Sequence, residues 1–284
     1  MAGLLNFQSP QFVRPEFGET IVYNGMEYFI GSRIGRGYFG EVYHCWDEWG
    51  NELVAKILVP RNQTYEDVRE QWLEELNKLV LLRHPNITFI YAAFEYRHTF
   101  YLIMERCDST LEDHIKPSFQ GEDALVYIAR EILQGVDFIH DTGYVHKDIH
   151  PGNIFVKIMP SDPPLVSIKI GDLGISNLEG NIDFLNTRLA AWMLPPEYLN
   201  PEQYGRVGKQ TDIYHTALLL LSVLLGYIPQ FTHQEILDGK PRHIAESLSS
   251  RYGKVIANAL CRHVAFRTQT ALDFWREIFS VSQN

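Results

Sequence analysis

His146-Lys147-Asp148-Ile149-His150-Pro151-Gly152-Asn153 decides the reading of this chain. An Asp and an Asn stand five residues apart, directly before an apolar, strand-like run, Ile154-Phe155-Val156. In such a loop one carboxylate can orient a nucleophilic hydroxyl and accept its proton, and one amide oxygen can hold a metal ion beside it. The spacing therefore suits phosphoryl transfer. What stands before and after the loop bears on that reading.

Upstream, Gly35-Arg36-Gly37-Tyr38-Phe39-Gly40 is a G-x-G-x-x-G run followed by Glu41-Val42. Glycines let backbone N–H groups approach phosphates closely. A dinucleotide site needs a helix after the glycines. Here a second strand-like run, Val42-Tyr43-His44-Cys45, follows, which predicts a hairpin. Val54-Ala55-Lys56-Ile57 then puts a lysine in an apolar strand, where an unpaired charge is costly. The partner is expected on the next helix, predicted from about Tyr65 to Leu82 with Thr64 as N-cap and Asp67 in a capping-box position. Val68, Trp72, Leu76 and Leu79 make one stripe of that helix. Glu75 falls at the edge of the stripe and Glu74 points away, so Glu75 is the expected partner of Lys56.

Downstream, Ile170-Gly171-Asp172-Leu173-Gly174 ends an apolar run on a carboxylate, and Pro195-Pro196-Glu197, Asp212 and Arg267 follow in order. Together with the His84-Pro85-Asn86-Ile87 run, these parts resemble a protein kinase catalytic domain over about residues 28 to 280. The resemblance implies an α+β, bilobal fold. A small β-rich N-lobe with one long helix would span 27–107 and a larger α-helical C-lobe 108–280, after an extension at 1–26. It implies an ATP- and Mg²⁺-dependent enzyme, with Mn²⁺ as a substitute ion, transferring the γ-phosphoryl group to a protein Ser or Thr. Asp148 would orient the nucleophile, Lys56 held by Glu75 would position phosphates, and Asn153 and Asp172 would bind the metal. Ile34, Gly35, Gly37 and Gly40 would cover the nucleotide. Val42, Ala55 and Phe155 would sandwich the base, Met104 would be the gatekeeper, and Glu105 and Cys107 the hinge. Glu197 paired with Arg267, and Asp212, read as structural.

The pattern also departs from the family. His150 replaces the lysine that serine/threonine kinases carry two residues after the catalytic Asp, Lys147 replaces the preceding Arg, and Ala190 replaces a substrate-side Thr. Lys147 lacks the bidentate fork that grips a phosphorylated loop. Asp-x-His-Pro-Gly-Asn is similar to the loop of aminoglycoside and choline kinase-like phosphotransferases, which leaves a small-molecule acceptor as an alternative. His150 would then stand near the γ-phosphate, or simply bond to backbone. A nucleotide-binding pseudokinase is the non-enzyme alternative, against which every phosphate- and metal-contacting position keeps its residue type. Ser176 and Thr187 are hydroxyls open to modification.

Composition narrows the rest. The chain has 284 residues, 45% of them hydrophobic, and a formal net charge of -10. That size suits one large domain or two lobes, and an acidic balance argues against nucleic acid or an anionic membrane as the main partner. Three cysteines without a C-x-x-C pair, and no signal-like N-terminus, point to a reducing, cytoplasmic setting, and the resemblance implies a protein partner. The longest apolar run, Ile213 to Ile228, is shorter than the roughly 20 residues a spanning helix needs and reads as a buried helix. Strands are expected around Tyr28-Ser32, Glu41-Trp46, Leu53-Leu58, Ile87-Phe94 and Phe100-Glu105. Helices are expected near 110–116, 121–141, 212–226, 233–238, 243–260 and 270–280.

Overall fold

The computed structural model describes residues 12–36, 40–61, 63–118, 121–173, 177–178 and 193–283. The chain divides into two compact units, one built from the residues up to Arg83 with Thr88–Arg106, the other from His84–Ile87 with Cys107 onward.

The first unit is an antiparallel sheet with one helix. Its described strands are β1 (Thr20–Tyr23), β2 (Met26–Arg36), β3 (Gly40–Asp47), β4 (Glu52–Leu58), β5 (Ile90–Tyr96) and β6 (Thr99–Glu105), ordered β1-β2-β3-β4-β6-β5. Period-two alternation divides the sheet. Ile30, Tyr43, Cys45, Leu53, Ala55, Ile57, Tyr101 and Ile103 gather with Phe94 into one buried cluster. At about 1.5–3 kcal/mol per fully buried large apolar side chain, this face holds the sheet together. Helix α1 (Tyr65–Leu81) starts on a full capping box, in which Asp67 N–H donates to Thr64 Oγ1 at 3.1 Å and Thr64 N–H to Asp67 Oδ2 at 2.9 Å. Trp72 Nε1 donates to the Tyr101 carbonyl at 3.0 Å and fixes the helix to the sheet.

The second unit is mainly helical. It opens with β7 (Ser109–Thr110), α2 (Gly121–Asp141) and β8 (Tyr144–Val145), followed by the β9–β10 hairpin (Ile154–Met159, Leu165–Ile170) and β11 (Asn177–Leu178). Then come α3 (Pro196–Leu199), α4 (Pro201–Tyr204), α5 (Lys209–Leu225), α6 (His233–Leu237), α7 (Lys240–Ser247), α8 (Gly253–Ala259) and α9 (Ala271–Ser282). Leu125, Ile128, Ala129, Ile132, Leu133, Val136 and Ile139 form the buried stripe of α2, which packs on α5 and α9. Residues 211 to 223 of α5 are all buried. A helix apolar on every side belongs in a core, and no helix among the described residues is long and apolar enough to cross a membrane. Gly121 lets α2 start against α5, because a Cβ there would lie 2.0 Å from the Val223 carbonyl oxygen. The His84-Pro85-Asn86-Ile87 run is stitched to this unit: Asn86 O accepts Ile170 N–H at 2.7 Å, and Asn86 Nδ2 donates to Glu131 Oε2 at 2.7 Å.

The β-rich and helical halves agree with the expected fold class, and four expectations need correction. Residues 20–23, placed in the N-terminal extension, form strand β1. The strand expected at 87–94 runs from Ile90 to Tyr96, because Ile87 bridges Ile170 instead. Residues 110–116 are not helical: Thr110 pairs with Phe155, and its N–H and hydroxyl both donate to Asp113 Oδ2 at 2.8 Å, closing a turn. The helix expected over 243–260 is two, α7 and α8, broken around Leu248, whose backbone is extended.

Candidate active site

In the first unit, antiparallel register sets Val42 opposite Lys56, Lys56 opposite Leu102, and Val54 opposite Met104. Directly paired residues share a face, so Val42, Val54, Lys56 and Met104 lie on the same side of the sheet. Lys56 Nζ sits 2.7 Å from Glu75 Oε1, with side-chain exposures of 12% and 5%. Glu75 is on the buried face of α1 with Val68 and Leu79, and Glu74 is exposed. Two ions withdrawn from water are weak evidence of stability for its own sake.

Ala55 is the correction here. It follows Val54 by one residue, so it faces away from Lys56 and is fully buried in the hydrophobic cluster. Val54 is the residue of that strand on the lysine's face. Strand alternation alone carries that signal, since a residue on Lys56's face must be an even number of positions away.

Gly35 pairs with Val42, and Ile34 is exposed. Gly40 is required by packing, because a Cβ there would lie 2.1 Å from the Ile57 carbonyl oxygen. Glu105 N–H donates to Phe89 O at 2.9 Å, and its Oε1 accepts Phe89 N–H at 2.8 Å. Gly37 lies outside the described residues, as do Ser176, Thr187 and Ala190.

In the second unit the loop between β8 and β9 is tied from several sides. Asp212, fully buried near the start of α5, accepts the N–H groups of His146 at 2.8 Å and Lys147 at 2.7 Å and meets His140 Nε2 at 2.8 Å. Lys147 is held at φ 70 and Asp172 at φ 55, conformations L side chains rarely adopt. His146 Nδ1 accepts Asp148 N–H at 3.2 Å, so its proton is on Nε2, which donates to Gly171 O at 3.0 Å. Burial keeps this ring neutral.

Asn153 Nδ2 donates to the Asp148 carbonyl and to Asp148 Oδ2, both at 3.0 Å, and Gly171 N–H donates to Asn153 O at 2.9 Å. Three expected residues are thereby gathered: Asp148, Asn153 and, one position beyond Gly171, Asp172. Burial and then the negative charge of Asp172 push the Asp148 carboxyl up to about 7, against the Asn153 hydrogen bond. Two half-buried carboxylates whose charges repel are a setting that a divalent cation relieves. The donors, carboxylate and amide oxygens, are of the type Mg²⁺ takes, so the residues fit the implied metal.

His150 Nδ1 accepts Gly152 N–H at 3.1 Å, which leaves the proton on Nε2, 3.8 Å from Asp148 Oδ2. That distance is too long for a hydrogen bond. Phe155 and Cys107, both half-buried, belong to this unit. Glu197 and Arg267, expected as a pair, meet at 2.8 and 2.9 Å with neither side chain exposed.

The family model described as the protein kinase domain matches residues 28–283. The chain belongs to the protein kinase family. The probable serine/threonine-protein kinase zyg-1 of Caenorhabditis briggsae is 30% identical over 202 residues, covering 70% of this kinase domain chain and 27% of that protein. The serine/threonine-protein kinase PLK2 of Mus musculus is 26% identical over 222 residues, covering 76% and 31% respectively. The DNA damage response protein kinase DUN1 of Saccharomyces cerevisiae is 24% identical over 249 residues, covering 80% and 47%. The chain thus spans less than half the length of these relatives.

Proposed function

We propose that this kinase domain transfers the γ-phosphoryl group of ATP to a Ser or Thr hydroxyl of a protein. The observation that carries the reading is Asp148, fixed by Asn153 at 3.0 Å in a loop whose backbone Asp212 grips. The similarity to serine/threonine-protein kinases supports the acceptor class.

In this reading Asp148 orients the acceptor hydroxyl and takes its proton as the oxygen–phosphorus bond forms and the bond to the bridging oxygen of ADP breaks. Lys56, held by Glu75, places the α and β phosphates. Asn153 and Asp172 would hold Mg²⁺, which would neutralise phosphate charge. Val42, Val54, Met104 and Phe155 supply apolar surface for the base, with backbone at Glu105 and Cys107 for its edge. Most of the acceleration comes from positioning and fixed charge. His150 supports a second acceptor class, because a neutral imidazole stands where serine/threonine kinases place a cation.

The test offers Mg²⁺ and γ-labelled ATP with a generic protein substrate in one arm, and with aminoglycosides, choline and sugars in another. Label on protein alone is expected. Label on a small molecule alone would overturn the acceptor assignment.

A further inference from the structure

Glu41 directly follows Gly40 at the start of β3 and is 1% exposed. Three guanidinium groups converge on its carboxylate: Arg14 Nε at 3.1 Å, Arg33 Nη1 at 3.5 Å and Arg36 Nε at 3.6 Å. The Tyr43 phenol donates to it at 2.8 Å. Arg36 and Glu41 are cross-strand partners at the end of the β2–β3 hairpin, and Arg33 pairs with Tyr43. Both arms of the hairpin therefore meet at one buried carboxylate. Burial would raise its pKa, but the hydrogen bonds from Tyr43 and Arg14 bring it below the ordinary value, so it is ionised.

Arg14 comes from elsewhere, the segment before β1. That segment is anchored next to Arg14: Val13 N–H donates to Thr99 Oγ1 at 3.3 Å, and Thr99 Oγ1 donates to Val13 O at 2.7 Å, with Thr99 fully buried. Phe12 packs against the hydrophobic cluster, and the Arg14 guanidinium lies 5.2 Å above its ring. Thr99 alternates with Tyr101 and Ile103, and Glu41 with Tyr43 and Cys45, so both anchors are on the cluster face of the sheet, opposite Lys56.

We propose that Arg14 and Glu41 are positioning residues, through which the segment before β1 fixes strand β3 and the Gly40-Glu41-Val42 backbone for ATP. The proposal rests on the ATP-binding reading above. Without Arg14, the buried carboxylate keeps the Tyr43 phenol but is paired only with the more distant Arg33 and Arg36 guanidinium groups, and the hairpin end can shift with it. Arg14 itself is about half exposed, and an ion pair of that kind adds little to global stability. Its loss therefore registers in nucleotide affinity rather than in melting.

The test is equilibrium titration of the full chain with a Mg²⁺-bound, non-hydrolysable ATP analogue, beside a thermal melt. Arg14→Ala should weaken binding by about five- to tenfold, the scale of one net hydrogen bond. Its melting temperature should not change, and Arg14→Lys should recover most of the affinity. Glu41→Gln should weaken binding at least as much. Unchanged affinity in both Arg14→Ala and Glu41→Gln, with wild-type binding intact, would overturn the proposal. So would a loss of affinity seen only with a matching fall in melting temperature. A wild-type chain that does not bind the analogue would overturn the ATP reading itself, and this inference with it.

Discussion

Asp212 Oδ1 accepts the backbone N–H of Lys147 at 2.7 Å, so the first turns of α5 hold the residue that precedes Asp148. Lys147 sits at φ 70, a conformation that costs a non-glycine residue about 1 kcal/mol or more and persists only where surroundings enforce it. Asp212 is that enforcement, with His146 and His140 as its other partners. Asp212→Ala leaves buried donors unsatisfied and should cost about 3 kcal/mol or more in chemical denaturation. Transfer activity should fall further than stability, because Asp148 loses its setting.

The same carboxyl should leave a mark in acid. Burial alone would raise it, but the hydrogen bond from His140 and the backbone N–H of His146 hold it below its ordinary value of 3.8. A depressed carboxyl contributes stability that is fully present above the unfolded pKa and lost as pH falls through the folded one. Wild type should therefore lose stability below about pH 4 by this route. Asp212→Asn should lack that acid limb, as read from melting temperature against pH.

Glu197 and Arg267 offer a cleaner stability test, because both side chains are fully buried. Arg267 also donates to the carbonyls of Cys261 at 3.0 Å and Gln210 at 2.7 Å. Removing one partner strands a charge. Glu197→Ala or Arg267→Ala alone should cost about 3–5 kcal/mol in denaturant titration. The double replacement by apolar residues of similar volume should recover part of that loss.

Lys56 and Glu75 separate function from stability. Lys56→Met removes the charge expected at the phosphates while filling similar volume. Transfer should fall by about a hundredfold or more, the scale of losing a fixed electrostatic contact. Lys56→Met alone leaves Glu75 buried without its partner and should melt lower, whereas Lys56→Met combined with Glu75→Gln strands no charge and should melt close to wild type. Near-normal turnover would remove Lys56 from the machinery.

Why Glu75 could be picked from sequence and Ala55 could not is a matter of geometry. Helical periodicity separates Glu74 from Glu75 by about 100°, and the tertiary fold respects that. The motif around Lys56 was read by resemblance, one residue out of step with the strand: Val54 shares the lysine's face and Ala55 belongs to the core. The turn at Thr110 was invisible for another reason. Its helical spacing competes with an Asp113 side chain that captures the Thr110 N–H and hydroxyl, and with strand pairing to Phe155. The Arg14–Glu41 contact, 27 residues apart in sequence, has no local signature at all. The Glu197–Arg267 pair, more distant still, was legible only because the family pattern carries it.

His150 should add no inflection of its own to the pH profile, which the Asp148 carboxyl, at about 7, shapes instead. Burial pushes the His150 ring down to about 4. The imidazole is therefore neutral throughout about pH 5 to 8. His150→Gln should lower transfer on the order of tenfold, one hydrogen bond's worth, without changing the profile's shape in that range. An inflection near the ordinary histidine value that disappears in His150→Gln would contradict the neutral assignment.

The central claim, that Asp148 serves phosphoryl transfer to a protein hydroxyl, is tested most directly by incubating the purified chain with Mg²⁺ and γ-labelled ATP. Intact mass and phosphopeptide mapping are then read with Asp148→Asn as control. The account predicts label on Ser or Thr of the chain or of an added protein, lost in the control. Label that persists in Asp148→Asn, or no transfer at all from a chain that binds Mg²⁺-ATP, would contradict it.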